Sequence, residues 1–301
     1  MNKDENITPE PADQTIAAAA APAVDDAQPQ SELTAAVEAE SEAVEADTRT
    51  AQEIAIAEIK EIASVVGVAI LLVVFLRTLL FQPFTIPSAS MEPNLYKGDY
   101  IIVSKWDYGY SKHSLPISLP LFDGRLFNTV PKRGDIVVFK LPVDNKTDYI
   151  KRVVGLPGDT VQMTNDQLYI NGQAVKTTTL GAIAGTAPGS SIYRDGTGTL
   201  QREELPDGRT HLMQDFVQDG SVDNTDLYTV PEGHYFMMGD NRDNSQDSRY
   251  PMSVGGVDFV PAENLEGRAV LVLMSWKDGS SLWKPWTWLN FHWDRFFKSL
   301  H

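Results

Sequence analysis

The chain has 301 residues with a hydrophobic fraction of 42%, enough to build a sizeable core, and a formal net charge of −16. Most of that charge is local. Residues 1–61 carry 15 acids and 3 bases, while the rest of the chain carries 26 acids and 22 bases, which argues against a nucleic-acid partner. With no cysteine, disulfides, thiolate metal sites and a cysteine nucleophile are excluded.

Residues 1–55 are rich in Ala, Glu, Asp, Pro and Gln and nearly free of aromatics. Such a segment buries too little apolar surface to offset its ordering entropy, so the composition predicts a disordered acidic tail, with transient helix over Glu32–Asp47. Ile62 to Leu76 is then almost wholly apolar, and the run continues past Arg77 to Phe81. A bilayer core of ~30 Å needs about 20 helical residues, so a transmembrane helix is expected over residues 60–82. Arg77 sits where a long cation can reach the headgroups. Lys60 and Arg77 flank the run on opposite sides, so charge gives no orientation.

Past Pro83 the pattern turns to β. "YIIVSKW", "DIVVFKL", "YIKRVVGL", "TVQMT", "QLYING", "HYFMMG" and "RAVLVLMSW" are short β-branched or aromatic runs punctuated by turn residues. Residues 162–230 are more polar and rich in Gly and Thr, and read as an excursion inserted into a body formed by 83–161 and 231–279. From Trp276 onward come five of the six tryptophans, interleaved with Lys and Arg. Residues 280–301 therefore read as a segment suited to a membrane interface, or else as one packed on the β body. The fold class expected is mainly β: an antiparallel domain with a β insertion, behind a tail and one membrane helix.

For chemistry, the chain lacks a G-x-S-x-G elbow and an H-E-x-x-H motif, and no cofactor or metal is expected. "TIPSASMEPNL" places Ser88 and Ser90 between two prolines, just after the apolar run. A serine hydroxyl needs a base. Without a suitable histidine, a lysine kept neutral by burial can serve. "DYIKRVVGLPGD" offers Lys151 in an apolar strand, where alternation turns it away from Ile150 and Arg152, leaving Arg152 to meet an acid outside. A surface lysine on an alternating strand fits the spacing equally well. The third element, "GDNRDNSQDSRY" (239–250), is too charged for core and suits a loop of salt bridges and Asx turns beside a site.

"FTIPSASMEPNL", "RGDIVVFK", "DYIKRVVGLPGD" and "GDNRDNSQDSRY", in this order behind a membrane span, resemble the bacterial type I signal peptidases over about residues 60–275. That resemblance implies a membrane-anchored serine endopeptidase that removes signal peptides from exported preproteins after Ala-x-Ala-like sites. It places the nucleophile at Ser90 and the general base at Lys151. Ser88, with the Ser90 N–H, falls in the oxyanion hole, and Ser245 falls where a serine orients the lysine. Arg152, Asp240, Arg242, Asp247 and Arg249 brace the site, and Phe84, Ile86, Leu95, Ile101 and Ile150 line shallow substrate pockets. It further implies the inner (cytoplasmic) membrane, a cytoplasmic tail, an extracytoplasmic catalytic domain, and the bilayer and export machinery as partners. Ala89 stands where glycine is common, which matters only if that position needs φ > 0. The competing reading is a non-catalytic, membrane-tethered peptide-binding β domain, which has no need for both Ser90 and Lys151. A self-cleaving repressor-type Ser/Lys protease needs a DNA-binding domain that residues 1–61 do not supply.

Overall fold

The computed structural model describes residues 29–114, 124–127, 129–184, 197–217, 220–277, 279–280 and 283–300. It divides into a unit ending at Val68 and a unit from Ala69 to His301. A helix, α1, spans Pro29–Leu79. The disorder expected through residue 55 is thereby corrected for residues 29–55, where Ala and Glu, strong helix formers, dominate. Residues 1–28 lie outside the described residues. At ~1.5 Å per residue α1 runs for about 75 Å, more than twice a bilayer core. Only its C-terminal part is apolar enough to cross a membrane. The far boundary also shifts: the helix stops at Leu79, because Phe81 and Gln82 already belong to a strand and Pro83 cannot continue a helix.

That strand, β1 (Phe81–Thr85), pairs with β2 (Asp99–Ser104), with Phe84 opposite Ile101. Next come β3 (Ile136–Lys140) and β4 (Asp148–Gly155), paired so that Val137 faces Lys151. The inserted region holds β5 (Thr160–Thr164), β6 (Gln167–Ile170), β7 (Gln173–Ala174), β8 (Lys176–Ala184), β9 (Thr197–Glu204), β10 (Thr210–Asp215) and β11 (Tyr228–Thr229). The chain then returns through β12 (His234–Met238), β13 (Val260–Pro261), β14 (Leu265–Ser275) and β15 (Lys298–Ser299). The main sheet runs β1-β2-β14-β3-β4-β12-β13, with β15 on β14, and all its pairings are antiparallel. Every strand expected from a β-rich run is present. β1, which the sequence gives to the membrane run and its exit, is one addition, and β7 to β11, β13 and β15 are others.

The inserted strands form a three-stranded sheet, β10-β9-β8, and a four-stranded one, β11-β5-β6-β7. They are not a detached excursion. Val161, Met163, Leu168, Ile170 and Val230 pack with Val154, Phe236 and Met238 of the main sheet in one apolar cluster. Gln214 N–H donates to Asp240 O, joining β10 to the charged loop.

The C-terminal segment serves the body and the surface at once. Leu300 enters the core cluster of Ile86, Met91 and Ile101, and Ser299 pairs with Leu271. Arg295 is buried and forms an ion pair with the fully buried Asp99. Trp283, Trp286, Leu289, Trp293 and Phe297 remain exposed. Arg295→Ala leaves a buried carboxylate without its charge partner, and a loss of about 3–5 kcal/mol is expected. Chemical unfolding of the full chain in detergent, followed by tryptophan fluorescence, measures it. A loss below ~1 kcal/mol would show that the pair is solvated and the segment dispensable to the body.

Candidate active site

Three stretches distant in sequence meet at one cleft. The turn carrying Ser88 and Ser90 leaves β1, the strand β4 carries Lys151, and the loop 239–250 follows β12. The cleft, of about 650 Å³, is lined by Pro87, Ser88 and Ser90 on one side, Thr147 to Lys151 on another, and Asp243 to Gln246, Tyr250 and Val254 beyond.

The turn is held by main-chain bonds. Ile86 N–H donates to Asp99 O, Glu92 N–H donates to Ala89 O, and Asn241 N–H donates to Ser90 O. Among the described residues no main-chain carbonyl accepts the Ser90 N–H, so that donor is available to an oxygen in the cleft. Ala89 is not among the residues with positive φ, so alanine sits there without strain. Ser90 is buried, whereas Ser88 is exposed at the mouth, and their hydroxyls are 3.4 Å apart.

Lys151 lies 4% exposed in β4, with Nζ 2.8 Å from Ser90 Oγ and donating to Ile150 O at 3.0 Å. Tyr149, two residues back, places its ring 5.2 Å from Nζ. Burial drives the lysine pKa down from 10.5 to about 8. The charges of Asp247 and Asp240 oppose this, and Arg249 adds to it.

The bracing charges form two buried forks. Arg152 grips Asp240 through two bonds of 2.7 Å and donates to Gly134 O. The acid expected to meet it outside is therefore present but inside, with Asp240 1% exposed, because both faces of β4 are covered. Arg249 grips Asp247 through two bonds of 2.9 Å, and Gly239 N–H donates to the same carboxylate. Burial pushes the Asp247 carboxyl up, but the Arg249 charge and these hydrogen bonds outweigh it and hold the acid below the usual carboxylate range. Asn94 bridges Asp240 and Leu212 O, tying the serine turn to the insertion.

Ser245 is buried beside Asp247, whose carboxylate its hydroxyl helps to hold ionised, and Lys151 is bonded to Ser90 and Ile150. Of the residues expected to line substrate pockets, Ile150 borders the cleft. Ile86, Leu95 and Ile101 lie in the core cluster against which Phe84 packs, and do not border the cleft.

Several contributors escape motif reading. Glu203 on β9 pairs with Arg242 and lies 3.2 Å from His211 Nε2 on β10, so the insertion holds the charged loop in place. Gly239 is another. A Cβ there would stand 2.2 Å from Ser245 Oγ and 2.5 Å from Ser90 O. Its position between an apolar strand and a charged loop was the available signal. Gly239→Ala is expected to displace one of these neighbours and cut turnover roughly a hundredfold, since misplacing a reacting group by ~1 Å costs that much. Steady-state kinetics alongside a melting curve checks it. Unchanged turnover would mean the loop yields freely.

The family model described as "Signal peptidase, peptidase S26" matches residues 59–276. The chain belongs to the signal peptidase family. Curated relatives include the signal peptidase I of Rickettsia canadensis, 41% identical over 229 residues covering 73% of this chain and 80% of that one. That of Rickettsia typhi is 41% identical over 211 residues, covering 67% and 75%. A crystal structure of a signal peptidase I from Enterococcus faecalis is 30% identical, covers 46% of this chain and 97% of that chain, and has a TM-score of 0.26. Membership makes the chain an enzyme, a protease acting on preproteins that carry signal peptides. The family is membrane-associated, and α1 supplies a helix able to cross a bilayer.

Proposed function

We propose that this signal peptidase works by a Ser/Lys acyl-enzyme mechanism, with Ser90 as nucleophile and Lys151 as general base. The observation that carries the reading is the 2.8 Å approach of a buried lysine to Ser90 Oγ, with no carboxylate or histidine among the described residues on that hydroxyl. Neutral Lys151 takes the Ser90 proton as Oγ attacks the scissile carbonyl. The developing oxyanion accepts from the Ser90 N–H and the Ser88 hydroxyl. Lys151 then returns the proton to the leaving amine, and a water repeats the cycle on the acyl-enzyme. Arg152, Asp240, Asp247 and Arg249 fix the loop against β4, and Ser245, which lines the same cleft, orients the lysine.

The cut falls after small residues in an Ala-x-Ala-like pattern. Ile150 supplies an apolar wall that prefers such residues, and Phe84, Ile86, Leu95 and Ile101 pack in the cluster behind it. The protein sits in the inner membrane with its tail cytoplasmic and residues 83–161 and 231–279 extracytoplasmic. The exposed tryptophans of 280–301 rest at the bilayer interface, and the export machinery delivers the substrate. Incubating detergent-solubilised protein with a model preprotein, wild type beside Ser90→Ala, tests the reading. Wild type is expected to release a product whose new N-terminus follows a small residue, and Ser90→Ala none. Cleavage by Ser90→Ala would overturn it.

A further inference from the structure

Away from the cleft, two cavities of about 250 and 350 Å³ adjoin one another, with Ile136, Thr210 and Leu300 in both walls. The smaller one lies among β4, the insertion strands β9 and β10, and the C-terminal β15. Its wall carries Arg202, His211 and Lys298 besides Arg152, and among the described residues no carboxylate. For a chain of net charge −16 that is a local reversal of sign.

The cations of this region differ in how they are neutralised. Arg152 is held by Asp240, Arg209 by Asp135 and Arg268 by Asp107. Among the described residues Arg202 and Lys298 form no ion pair and lie at the exposed rim. Lys298 is held below the usual lysine value by burial and by the charge of Arg295.

A second, independent observation comes from His211. Its side chain is 3% exposed, yet among the described residues neither ring nitrogen has a hydrogen-bond partner. Nε2 stands 3.2 Å from Glu203 and 3.8 Å from Asp240, so its proton belongs on that side. Burial and Arg152 keep the ring neutral, with Glu203 and Asp240 opposing. Nδ1 is then a buried acceptor waiting for a hydroxyl. A guanidinium and an ammonium without carboxylates suit a phosphate, one as a planar fork and the other as a point charge. A cavity of about 250 Å³ is below the usual range for drug-sized ligands and suits an ion or headgroup.

We infer that Arg202, Lys298 and His211 Nδ1 form a binding site for a phosphate group that carries or adjoins a hydroxyl. Inorganic dihydrogen phosphate and a phosphoglycerol headgroup share that chemistry. The site is separate from the proposed Ser90–Lys151 pair, and its test reads binding, not cleavage.

The full chain in detergent is titrated by calorimetry with inorganic phosphate, with short-chain dihexanoyl phosphatidylglycerol and with dihexanoyl phosphatidylcholine. Arg202→Gln/Lys298→Gln is compared with Lys146→Gln/Lys176→Gln, which removes the same charge outside the cavity. Binding of phosphate or the glycerol lipid, weakened at least tenfold in the first variant and not in the second, is the expected result. Which of the two ligands gives the difference identifies the source. A phosphate-dependent shift of the His211 ring signals in the wild type provides a readout free of substitutions. Equal loss in both variants would reduce the effect to general charge. No binding by either ligand, or equal binding by the choline lipid, would overturn the site.

Discussion

Lys151→Met is expected to abolish cleavage and, at pH 7, to make the fold more stable. The two effects have one cause. The lysine titrates at about 8 in the folded chain against 10.5 ordinarily, because burial disfavours the ammonium. The folded state therefore binds its proton less tightly than the unfolded state. At ~1.36 kcal/mol per pKa unit, protonated Lys151 costs about 3 kcal/mol at all pH values below 8. Between pH 8 and 10.5 the unfolded chain binds more protons than the folded one, so stability rises with pH and the cost disappears. The methionine variant should thus gain up to about 3 kcal/mol at pH 7 and little at pH 10.5. For the wild type, kcat/KM should climb about tenfold per pH unit on the acid side and level off near pH 8. At pH 7 about a tenth of the molecules then carry the neutral amine. Urea unfolding at both pH values and a rate profile on one preprotein provide the measurements. Near-normal turnover by Lys151→Met would end the Ser/Lys mechanism. A variant less stable at pH 7 would show that burial is not what lowers the lysine.

The two serines should fail differently. On the proposed mechanism Ser90→Ala removes the atom that bonds to substrate and leaves no route to an acyl-enzyme. Ser88→Ala removes one donor from the oxyanion, which typically costs about 2.7–4 kcal/mol, or a 10²–10³-fold fall in kcat. KM should change little, because that donor acts on charge that exists only in the transition state. The structure adds a geometric reason. Ser88 is exposed at the mouth with its hydroxyl 3.4 Å from Ser90 Oγ, close enough to reach an oxyanion but not bonded to the lysine. Ser88→Thr retains a hydroxyl and should recover part of the rate. If Ser88→Ala proves dead while Ser90→Ala keeps activity, the two roles are reversed.

The β elements were legible because their signal is local. Alternating or continuous apolar runs between turn residues became β2, β3, β4, β5, β6, β12 and β14. The candidate site was legible as types and order, with a serine turn, a lysine in an apolar strand and a charged loop. What sequence could not supply was depth. Alternation placed Arg152 on an outer face, but the insertion covers that face and Arg152 is 2% exposed. Glu203 and His211 carry no motif and gain meaning only when β9 and β10 bring them to Arg242. Ile86, Leu95, Ile101 and Ile150 share one buried cluster, and only the position of Ile150 near the start of β4 brings it to the cleft, which apolar character alone does not reveal. The helix over residues 29–55 was weighed on hydrophobicity, whereas Ala and Glu propensity decided it.

The long separations within the site have a consequence for the newly made chain. Ser90 emerges 61 residues before Lys151, and Arg152 must wait a further 88 for Asp240. The lysine loses water only when β4 is covered on both faces, and the last cover comes from the insertion and from β12. Until then it is an ordinary ammonium, unable to deprotonate anything near neutral pH. Non-local contacts of this kind form late in folding. On the proposed mechanism a half-made or misfolded copy is thus chemically silent: it has a serine but no base. Proteolytic competence becomes a report on completed folding, with no removable segment needed to keep the nascent chain harmless to itself or to its neighbours.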